Sequence, residues 1–376
     1  TDHGATFSKP VVASGPSVSA ENPRVVVDKN GNIVIVYIDF ATSGGAIFEV
    51  RSTDGGASFS APSRVSQAGE VLDNPPFVVV DSQGAVYVTY DEISQVAAIK
   101  LAIAPDGHTF GPSKTVSDSR ISTFAPQIAI DNNDNLYVTF YDRFVVGSNF
   151  NREIVVIKST DRGATFGPQV NVSNNAGQST FPSPIVDAQG HLSIVWEDTT
   201  VDPQRDVYLA RSSDGGATFG PSINLSANTS RSFGAFGSAD GAGNLFIGWT
   251  DDSPANTDVF VATLNAASVG PPDFALGGTS AIVTMQRGTK TQFTIDISRV
   301  GGFTGNVTVD TPDLSSIKIK QPGGNIQSTT GGSVTFALKL KGGGPTGSLL
   351  VPLIGLDDSG RTRQCFVEFI IQPATQ

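Results

Sequence analysis

The chain has 376 residues, of which 41 are glycine and 22 are proline, and its formal net charge is −11. This acidic balance, without a cluster of basic residues, argues against a nucleic-acid partner, because nothing would neutralise phosphates. The single cysteine, Cys365, excludes a disulfide framework and a thiolate metal site and is interpreted as a small buried apolar residue. No apolar run of 18 residues is present, so no membrane-spanning helix is predicted.

A repeated pattern, Ser-x-Asp-x-Gly-x-Thr-Phe, organises the first 263 residues. It occurs at 52–59 (STDGGASF), 159–166 (STDRGATF) and 212–219 (SSDGGATF), with shorter copies at 1–7 (TDHGATF) and 105–110 (PDGHTF). Its aspartates are Asp2, Asp54, Asp106, Asp161 and Asp214, at steps of 52, 52, 55 and 53 residues. An Asp carboxylate accepts hydrogen bonds from amides that follow it, and Gly permits left-handed backbone angles. Five copies of one motif predict a structural turn rather than an active centre.

Every period contains the same sequence of short apolar runs. The first run ends in Asp, and a turn and a second run follow; a variable loop then leads to a third run, the repeated pattern and a short fourth run. The Asp residues that end the first runs are Asp28, Asp81, Asp131, Asp187 and Asp240. Runs of this length and composition predict four strands per repeat. A period near 50 residues with four strands predicts an all-β chain that forms a β-propeller of five blades.

The repeated pattern resembles the Asp-box (BNR) repeat family, whose sialidase members have a propeller scaffold. The fifth repeat has its first three predicted strands, which end near Thr263, but no copy of the repeated motif follows them. Residues 1–12 contain such a copy and the short apolar run that follows it in the other repeats. We therefore expect Pro10-Val11-Val12 to pair as the outer strand of the blade that holds residues 258–263. The sialidase members have six blades, so an additional blade upstream of Thr1 is left open.

The repeat ends after Thr263. Residues 264–272 are predicted to be a linker, because they are small and end in two prolines. About seven alternating strands in 273–376 predict an immunoglobulin-like β-sandwich. Residues 301–309 resemble the Ig-type modules of secreted bacterial proteins, which implies an extracellular or cell-surface location and possible self-assembly through this module.

The repeats supply an internal alignment, counted from the Asp that ends each first strand. An aromatic residue lies nine positions later in every blade, and an acidic residue lies eleven positions later. The aromatic residues are Tyr37, Tyr90, Phe140, Trp196 and Trp249; the acidic residues are Asp39, Glu92, Asp142, Asp198 and Asp251. Positions that stay constant are predicted to serve the blade itself, the aromatic by packing and the acid by capping the next loop.

Positions that break the pattern are candidates for function. Ten positions after the Asp lie Ile38, Asp91, Tyr141, Glu197 and Thr250, and four positions before it lie Arg24, Phe77, Gln127, Ser183 and Phe236. Both registers fall at the end of the blade opposite the repeated pattern. The predicted site on that face comprises Arg24, Asp91, Gln127, Tyr141 and Glu197. Nearby loops add Arg120, Arg143, Arg152, Arg205 and Arg231.

Two other motifs are interpreted as structural. Residues 131–135 (DNNDN) have the alternating oxygen donors of a calcium loop, but they align with the turn between first and second strands in every blade. No metal and no cofactor are therefore predicted. The pairs Arg152-Glu153 and Arg205-Asp206 open third strands and are interpreted as surface ion pairs.

The sequence leaves two functions open. Resemblance to the sialidases implies a Tyr nucleophile, a Glu that activates it, an Asp acid/base and three arginines, for which Tyr141, Glu197, Asp91 and Arg24 are candidates. The family's Phe-Arg-Ile-Pro stretch is absent, and only one inner arginine is found. The prediction is therefore a secreted, non-catalytic propeller that binds a glycan or a protein. The alternative is a sialidase-like glycoside hydrolase that acts on extracellular glycans.

Overall fold

The structure is a computed structural model of the whole chain. It describes all residues except 1–8, 17–18, 42–43, 95, 118–121, 147–148, 176, 201–203, 227, 229, 253–256, 265–272, 279–281, 287, 301–304, 342–345, 359–361 and 373–376. The chain divides into two compact units, each described by itself. Unit one comprises 1–140 and 158–166, and unit two comprises 141–157 and 167–376.

The first 264 residues form five antiparallel sheets in chain order, and neighbouring strands in a sheet are consecutive in the chain. Sheet one contains β1 (Ala20–Val27), β2 (Ile33–Asp39), β3 (Ala46–Ser52) and β4 (Ser63–Arg64); sheet two contains β5 (Phe77–Val80), β6 (Val86–Glu92), β7 (Ala98–Ala104) and β8 (Lys114–Thr115). Sheet three contains β9 (Thr123–Ile130), β10 (Leu136–Val146), β11 (Asn149–Ser159) and β12 (Val170–Asn171); sheet four contains β13 (Ser179–Val186), β14 (Leu192–Asp198), β15 (Asp206–Ser212) and β16 (Ile223–Asn224). Sheet five contains β17 (Ser232–Ala239), β18 (Leu245–Asp251) and β19 (Asp258–Leu264).

Sheet five differs from the prediction in its fourth strand. Among the described residues it has three strands, and residues 9–13, which include Pro10-Val11-Val12, form no strand. Val12 is 77% exposed. The expected pairing of this segment is therefore not found in the described part of the chain, and residues 1–8, with Asp2, lie outside it.

Alternating apolar residues form the contacts between successive sheets. In unit one, Val34 and Val36 of sheet one pack with Val86 and Val88 of sheet two, and all four are fully buried. The five aromatic residues predicted to pack inside the blades are buried, with exposures from 0 to 7%. This regularity follows from the two-residue period of a strand, which directs alternate side chains to opposite faces of each sheet.

The turn between first and second strands is closed by the Asp that ends the first strand. In the segment that resembles a calcium loop, Asp131 Oδ1 accepts the amides of Asn133 and Asn135 at 2.9 Å. Asp131 Oδ2 accepts Asn135 Nδ2 at 2.7 Å and the Tyr137 hydroxyl at 3.0 Å. Equivalent amide bonds close the turns at Asp28 and Asp187. The carboxylate at each of these positions serves its turn.

We call the repeated motifs after the third strands the box turns (52–59, 105–110, 159–166 and 212–219). In the last of these, Asp214 Oδ1 accepts the Thr218 amide at 2.9 Å, and Ser212 Oγ accepts the Gly216 amide at 2.8 Å. The turns at Asp54 and Asp161 repeat both bonds. The prediction that this motif forms a turn is confirmed for these three copies.

Box turns also connect neighbouring sheets within unit one. Arg162, in the box turn of sheet three, donates from Nε and Nη2 to Asp81 Oδ2 of sheet two, and its Nη1 donates to Gln83 Oε1 at 2.6 Å. Gly107 in the box turn of sheet two accepts a hydrogen bond from Arg51 of sheet one. The box turn therefore stabilises the contact between blades as well as its own hairpin.

The C-terminal part of unit two is a sandwich of two sheets. One contains β20 (Asp273–Gly278), β22 (Lys290–Val300), β26 (Ser333–Leu340) and β24 (Ile319–Lys320); the other contains β21 (Ile282–Met285), β28 (Thr362–Ile371), β27 (Gly347–Asp357), β23 (Val307–Asp310) and β25 (Ile326–Thr329). Ile295, Phe336, Leu353 and Phe369 contribute to one core between the sheets. A 3-10 helix, Ser315–Ile317, precedes β24. The immunoglobulin-like assignment and the linker 264–272 stay predictions, and the Cys365 side chain lies outside the described residues.

In the described part of the chain, no helix has the length and apolar character needed to span a membrane.

Candidate functional site

The first strand of four sheets has a left-handed residue near its start, which lies at a β-bulge in three of them, and sequence reasoning missed it. In each of these strands, the residue six positions before the Asp that follows the strand has a left-handed backbone conformation. These residues are Asn22 (φ 53°), Ala125 (52°), Phe181 (53°) and Gly234 (65°). Strand pairing shifts at this point in β1, β13 and β17. Gly234 adopts such angles without strain and Asn22 at little cost, whereas Ala125 and Phe181 store conformational strain. Bulges and strained residues are frequent at binding surfaces, where they redirect a side chain.

Two of the predicted acids bind this left-handed residue of the next sheet. Asp91 is fully buried and its Oδ2 accepts the Ala125 amide at 3.3 Å. Glu197 is 4% exposed and its Oε1 accepts the Gly234 amide at 3.0 Å. Asp91 and Glu197 belong to the variable position ten residues after the first-strand Asp. At these two positions the side chain therefore has a structural role, because each carboxylate binds the first strand of the next sheet near its start.

The constant acids one residue further on cap the loops, as predicted. Asp39 accepts the Ala41 amide, Glu92 accepts the Ser94 amide and Asp198 accepts the Thr200 amide, at 2.7–2.8 Å. Asp198 Oδ2 also accepts Trp196 Nε1 at 2.8 Å. These side chains fix the ends of the second strands.

In unit one, the predicted residues Arg24, Asp91 and Gln127 occupy three successive sheets. The Arg24 guanidinium lies 4.5 Å from the centre of the Phe77 ring, and burial lowers its pKa. Asp91 also accepts the Asn74 amide at 3.0 Å. Gln127 is half-buried. Burial, and secondly the charge of Asp91, raise the pKa of Asp73, which lies beside Asn74 and which the sequence did not single out.

In unit two, Tyr141 belongs to an aromatic contact on the candidate face. Its ring meets the Phe181 ring edge-on, with 6.2 Å between centroids, and the Arg152 guanidinium lies 5.8 Å from its centre. Tyr141 is half-buried, whereas Phe181 is 42% exposed and left-handed. An exposed phenyl ring held in strained backbone is unexpected for a residue that serves only the fold.

Further contacts lie at the same end of the strands in sheets four and five. Thr180, next to Phe181, pairs with Glu197, and Glu197 Oε2 accepts Arg205 Nη1 at 2.7 Å. Gly234, whose amide donates to Glu197, follows Phe233 in the chain. The centre of the Phe233 ring lies 4.1 Å from the guanidinium carbon of Arg231. We use the name arginine–aromatic surface for the three groups of contacts at this end of the strands: Arg152 with Tyr141 and Phe181, Arg205 with Glu197, and Arg231 with Phe233.

The interpretation of the Arg–acid pairs as surface ion pairs is wrong. Glu153 is 2% exposed and accepts Ser173 Oγ, Asn151 Nδ2 and the Asn175 amide, and burial raises its pKa. Asp206 is 1% exposed and accepts Asn224 Nδ2 at 2.7 Å and Ser226 Oγ at 2.8 Å. Both acids bind the fourth-strand segment of their sheet, whereas Arg152 and Arg205 turn to the arginine–aromatic surface.

The predicted site is thus divided between units: Arg24, Asp91 and Gln127 lie in unit one, and Tyr141 and Glu197 in unit two. Among the loop arginines, Arg152, Arg205 and Arg231 reach the arginine–aromatic surface, Arg143 is half-buried, and Arg120 lies outside the described residues. Over the residues that the structure describes, no group of three or more His, Cys, Asp or Glu side chains is arranged to hold a metal ion.

No protein-family model and no curated protein sequence matches the chain. Solved structures do match. A protein of unknown function from Dyadobacter fermentans is 11% identical with a TM-score of 0.53, and the match covers 88% of this chain and 97% of that one. An α-L-arabinanase from Penicillium chrysogenum, complexed with arabinobiose, is 14% identical with a TM-score of 0.50, covering 75% and 92%. NanB sialidase from Streptococcus pneumoniae is 9% identical, with 76% and 67% covered, and its TM-score of 0.46 is too low to bear on the fold.

These similarities show the fold class. The chain is all-β, with propeller blades of four-stranded antiparallel sheets, as the repeat period predicted. At 11–14% identity the similarity says nothing about chemistry, because one fold supports many functions.

Proposed function

We propose that this protein binds an extracellular glycan through the arginine–aromatic surface and does not hydrolyse it. The observation that carries the proposal is Phe181, which is 42% exposed, left-handed at φ 53° and in ring contact with Tyr141. A sugar ring has apolar C–H faces that pack against an aromatic face, which removes apolar surface from water. Arg152, which lies over the Tyr141 ring, supplies hydrogen-bond donors for hydroxyls. We retain the Asp-box and immunoglobulin-like assignments as part of this proposal.

The carboxylates support binding over catalysis. Both oxygens of Glu197 accept hydrogen bonds, Oε1 from the Gly234 amide and Oε2 from Arg205. Asp91 likewise accepts the Asn74 and Ala125 amides. A general acid or base must exchange a proton with its substrate, whereas these side chains hold the backbone of neighbouring sheets. The alternative is a glycoside hydrolase of the sialidase type, in which Tyr141 would be the nucleophile.

The test separates ring loss from unfolding. Phe181→Gly removes the ring, which loses its packing on Tyr141, and also relieves the left-handed strain; because the two effects oppose each other, its free energy of unfolding should stay within about 1 kcal/mol of that of the wild type. Phe181→Tyr keeps both the ring and the strain. On a glycan array we expect wild type and Phe181→Tyr to bind the same glycan, and Phe181→Gly to lose the signal.

The catalytic alternative is tested with the same preparations. Wild-type protein and Tyr141→Phe are offered a fluorogenic sialoside, and release of the fluorophore is followed over time. We expect no turnover from either. Turnover that Tyr141→Phe abolishes would establish the hydrolase and overturn the proposal, and so would undiminished glycan binding by Phe181→Gly.

A further inference from the structure

A row of lysines crosses the outer face of one sheet of the C-terminal sandwich. Lys339 on β26 is directly opposite Lys290 on β22 and, on its other side, directly opposite Lys320 on β24. Directly opposite residues have Cβ atoms about 4.5–5.5 Å apart. All three lysines are exposed, whereas alternate residues of the same strands, such as Leu338 and Ile319, lie in the core of the sandwich. The three side chains therefore share the face that is turned away from the core.

Two further lysines flank this row. Lys318 precedes β24 and Lys341 follows β26, and the Lys341 amide donates to the Lys318 carbonyl at 2.9 Å. Each is exposed and lies two residues from a lysine of the row, the spacing at which side chains of a strand share a face. We call the five residues the lysine surface. Sequence reasoning found no basic cluster, because these lysines come from separate segments and meet only through strand pairing.

Repulsion within the lysine surface makes this arrangement costly for the sheet. Like charges directly opposite each other are destabilising, and among the described residues none of the five lysines forms an ion pair with a carboxylate. Lysines often protect the edges of sheets, which accounts for Lys320 on the edge strand β24. Edge protection does not account for Lys339, because β26 is paired on both sides at this residue.

The sandwich differs in charge from the rest of the chain. Residues 273–376 contain nine Lys and Arg against seven Asp and Glu, whereas residues 1–272 contain 15 against 28. The lysine surface is thus a local concentration of positive charge in an acidic protein. A surface with one sign of charge attracts a partner of the opposite sign.

The neighbouring side chains favour an acidic polysaccharide among anionic partners. Outer-face residues beside the row on β22 and β26 are Gln292, Thr294, Thr335 and Ala337. None of these four is aromatic, whereas single-stranded nucleic acids bind on aromatic platforms. None is a large apolar residue of the kind that a membrane-binding surface buries in lipid. The Thr294 and Thr335 hydroxyls, 2.9 Å apart, and the Gln292 amide are groups that can hydrogen-bond sugar hydroxyls.

We infer that the lysine surface binds a polysaccharide that carries sulfate or carboxylate groups. The ammonium groups bind the anionic groups through charge-assisted hydrogen bonds, and the adjacent hydroxyls and amide bind the sugar hydroxyls. Neighbouring strands lie about 4.8 Å apart, so the row from Lys290 to Lys320 presents three charges over about 10 Å. This spacing suits a polymer with repeated anionic groups better than a single small anion. The inference does not depend on the proposed function of the arginine–aromatic surface.

The test compares two double variants of the full chain that remove the same charge. Lys290→Gln/Lys339→Gln changes the row, and Lys9→Gln/Lys29→Gln is the control, because Lys9 and Lys29 are exposed but lie outside the sandwich. Titration calorimetry gives the dissociation constants of dextran sulfate, polygalacturonate and neutral dextran at several salt concentrations. We expect wild type and control to bind one or both anionic polymers and not dextran. Lys290→Gln/Lys339→Gln should bind about tenfold more weakly, with a salt dependence of log affinity that is shallower by about one per lysine removed.

Four results would overturn the inference. They are a wild-type protein that binds neither anionic polymer, equal weakening in the two double variants, tighter binding of duplex DNA or of phosphatidylserine vesicles than of both polymers at the same salt concentration, and loss of polymer binding in Phe181→Gly. Circular dichroism melts accompany each variant. Because Lys290→Gln/Lys339→Gln removes a repulsion, its melting temperature should equal or exceed that of the wild type, so weaker binding cannot be ascribed to unfolding.

Discussion

Substitution of the box-turn aspartate Asp214 by Ala should lower stability and leave binding unchanged. Asp214 Oδ1 accepts the Thr218 amide at 2.9 Å and Ser212 Oγ at 2.7 Å, and its Oδ2 accepts Thr218 Oγ1 at 2.6 Å. A hydrogen bond contributes about 0.5–1.5 kcal/mol net. Thr218 is exposed, so water replaces part of what its two donors lose. We therefore expect Asp214→Ala to lower the free energy of unfolding by about 1–2 kcal/mol.

The assay is urea denaturation followed by circular dichroism, with Asp214→Asn as the matched control. Asn keeps an oxygen that accepts the Thr218 amide, so its loss should be about half that of Ala. Burial raises the pKa of Asp214, but hydrogen bonds from Thr218 and Ser212 outweigh it and leave the pKa lowered. A depressed folded-state pKa stabilises the fold above the unfolded value near 4, and this contribution disappears as the pH falls. The difference between wild type and Asp214→Ala should thus shrink below about pH 4. Equal stability at pH 7, or loss of glycan binding with stability intact, would refute the structural role.

Three further predictions concern the frame of the blades. Hydrogen bonds, chiefly from Ser58, Thr109 and Thr165, lower the pKa values of Asp54, Asp106 and Asp161 to about 2; wild-type stability measured in urea should therefore fall as the pH goes from 4 to 2, and a flat profile would contradict these bonds. Gly107→Ala should cost about 2–4 kcal/mol, because a Cβ there would lie 2.6 Å from the Gly84 carbonyl oxygen at φ +76°. In the control Gly84→Ala, at φ +92°, the added Cβ has no atom within 4 Å, so the free energy of unfolding should fall by only about 1–2 kcal/mol. Equal losses of stability in the two variants would exclude the clash. Arg162→Ala should cost about 1–3 kcal/mol in thermal or urea unfolding, with Arg162→Lys intermediate because it keeps the charge without the guanidinium fork; an unchanged Arg162→Ala would mean that Asp81 does not need this partner.

Much of the blade structure was predictable, because the chain contains five repeats and aligning them shows which residue types are constant at each position. The constant aromatic residue, such as Trp196, and the constant acid, such as Asp198, have the packing and capping roles that their constancy indicated. The turn role of Asp214 followed from elementary hydrogen-bond chemistry. In each case the partner lies in the same blade and recurs with it, so sequence spacing records the contact.

The site was less predictable, because its contacts are made by backbone groups and by residues that vary. Asp91 and Glu197 differ from their counterparts in other blades, yet both bind the amide of a left-handed residue in the next sheet. Because every residue except proline has a backbone amide, the residue type at the donor position does not reveal such a hydrogen bond. The left-handed position is equally hidden, since Asn22, Ala125, Phe181 and Gly234 share a left-handed angle but no side-chain type. Exposure of Phe181, on which the proposed function depends, is a property of the folded surface alone.

Glycan binding at Phe181 is tested most directly by the dissociation constant of the glycan selected on the array, determined by titration calorimetry for wild type, Phe181→Tyr and Phe181→Gly. If Phe181 is a binding platform, the constant for Phe181→Tyr stays within about twofold of wild type. Loss of the ring in Phe181→Gly should raise it at least tenfold, which is about 1.4 kcal/mol or more, while the unfolding free energy of this variant stays within about 1 kcal/mol of that of the wild type. Equal constants for the three proteins would show that the Phe181 ring does not bind the glycan.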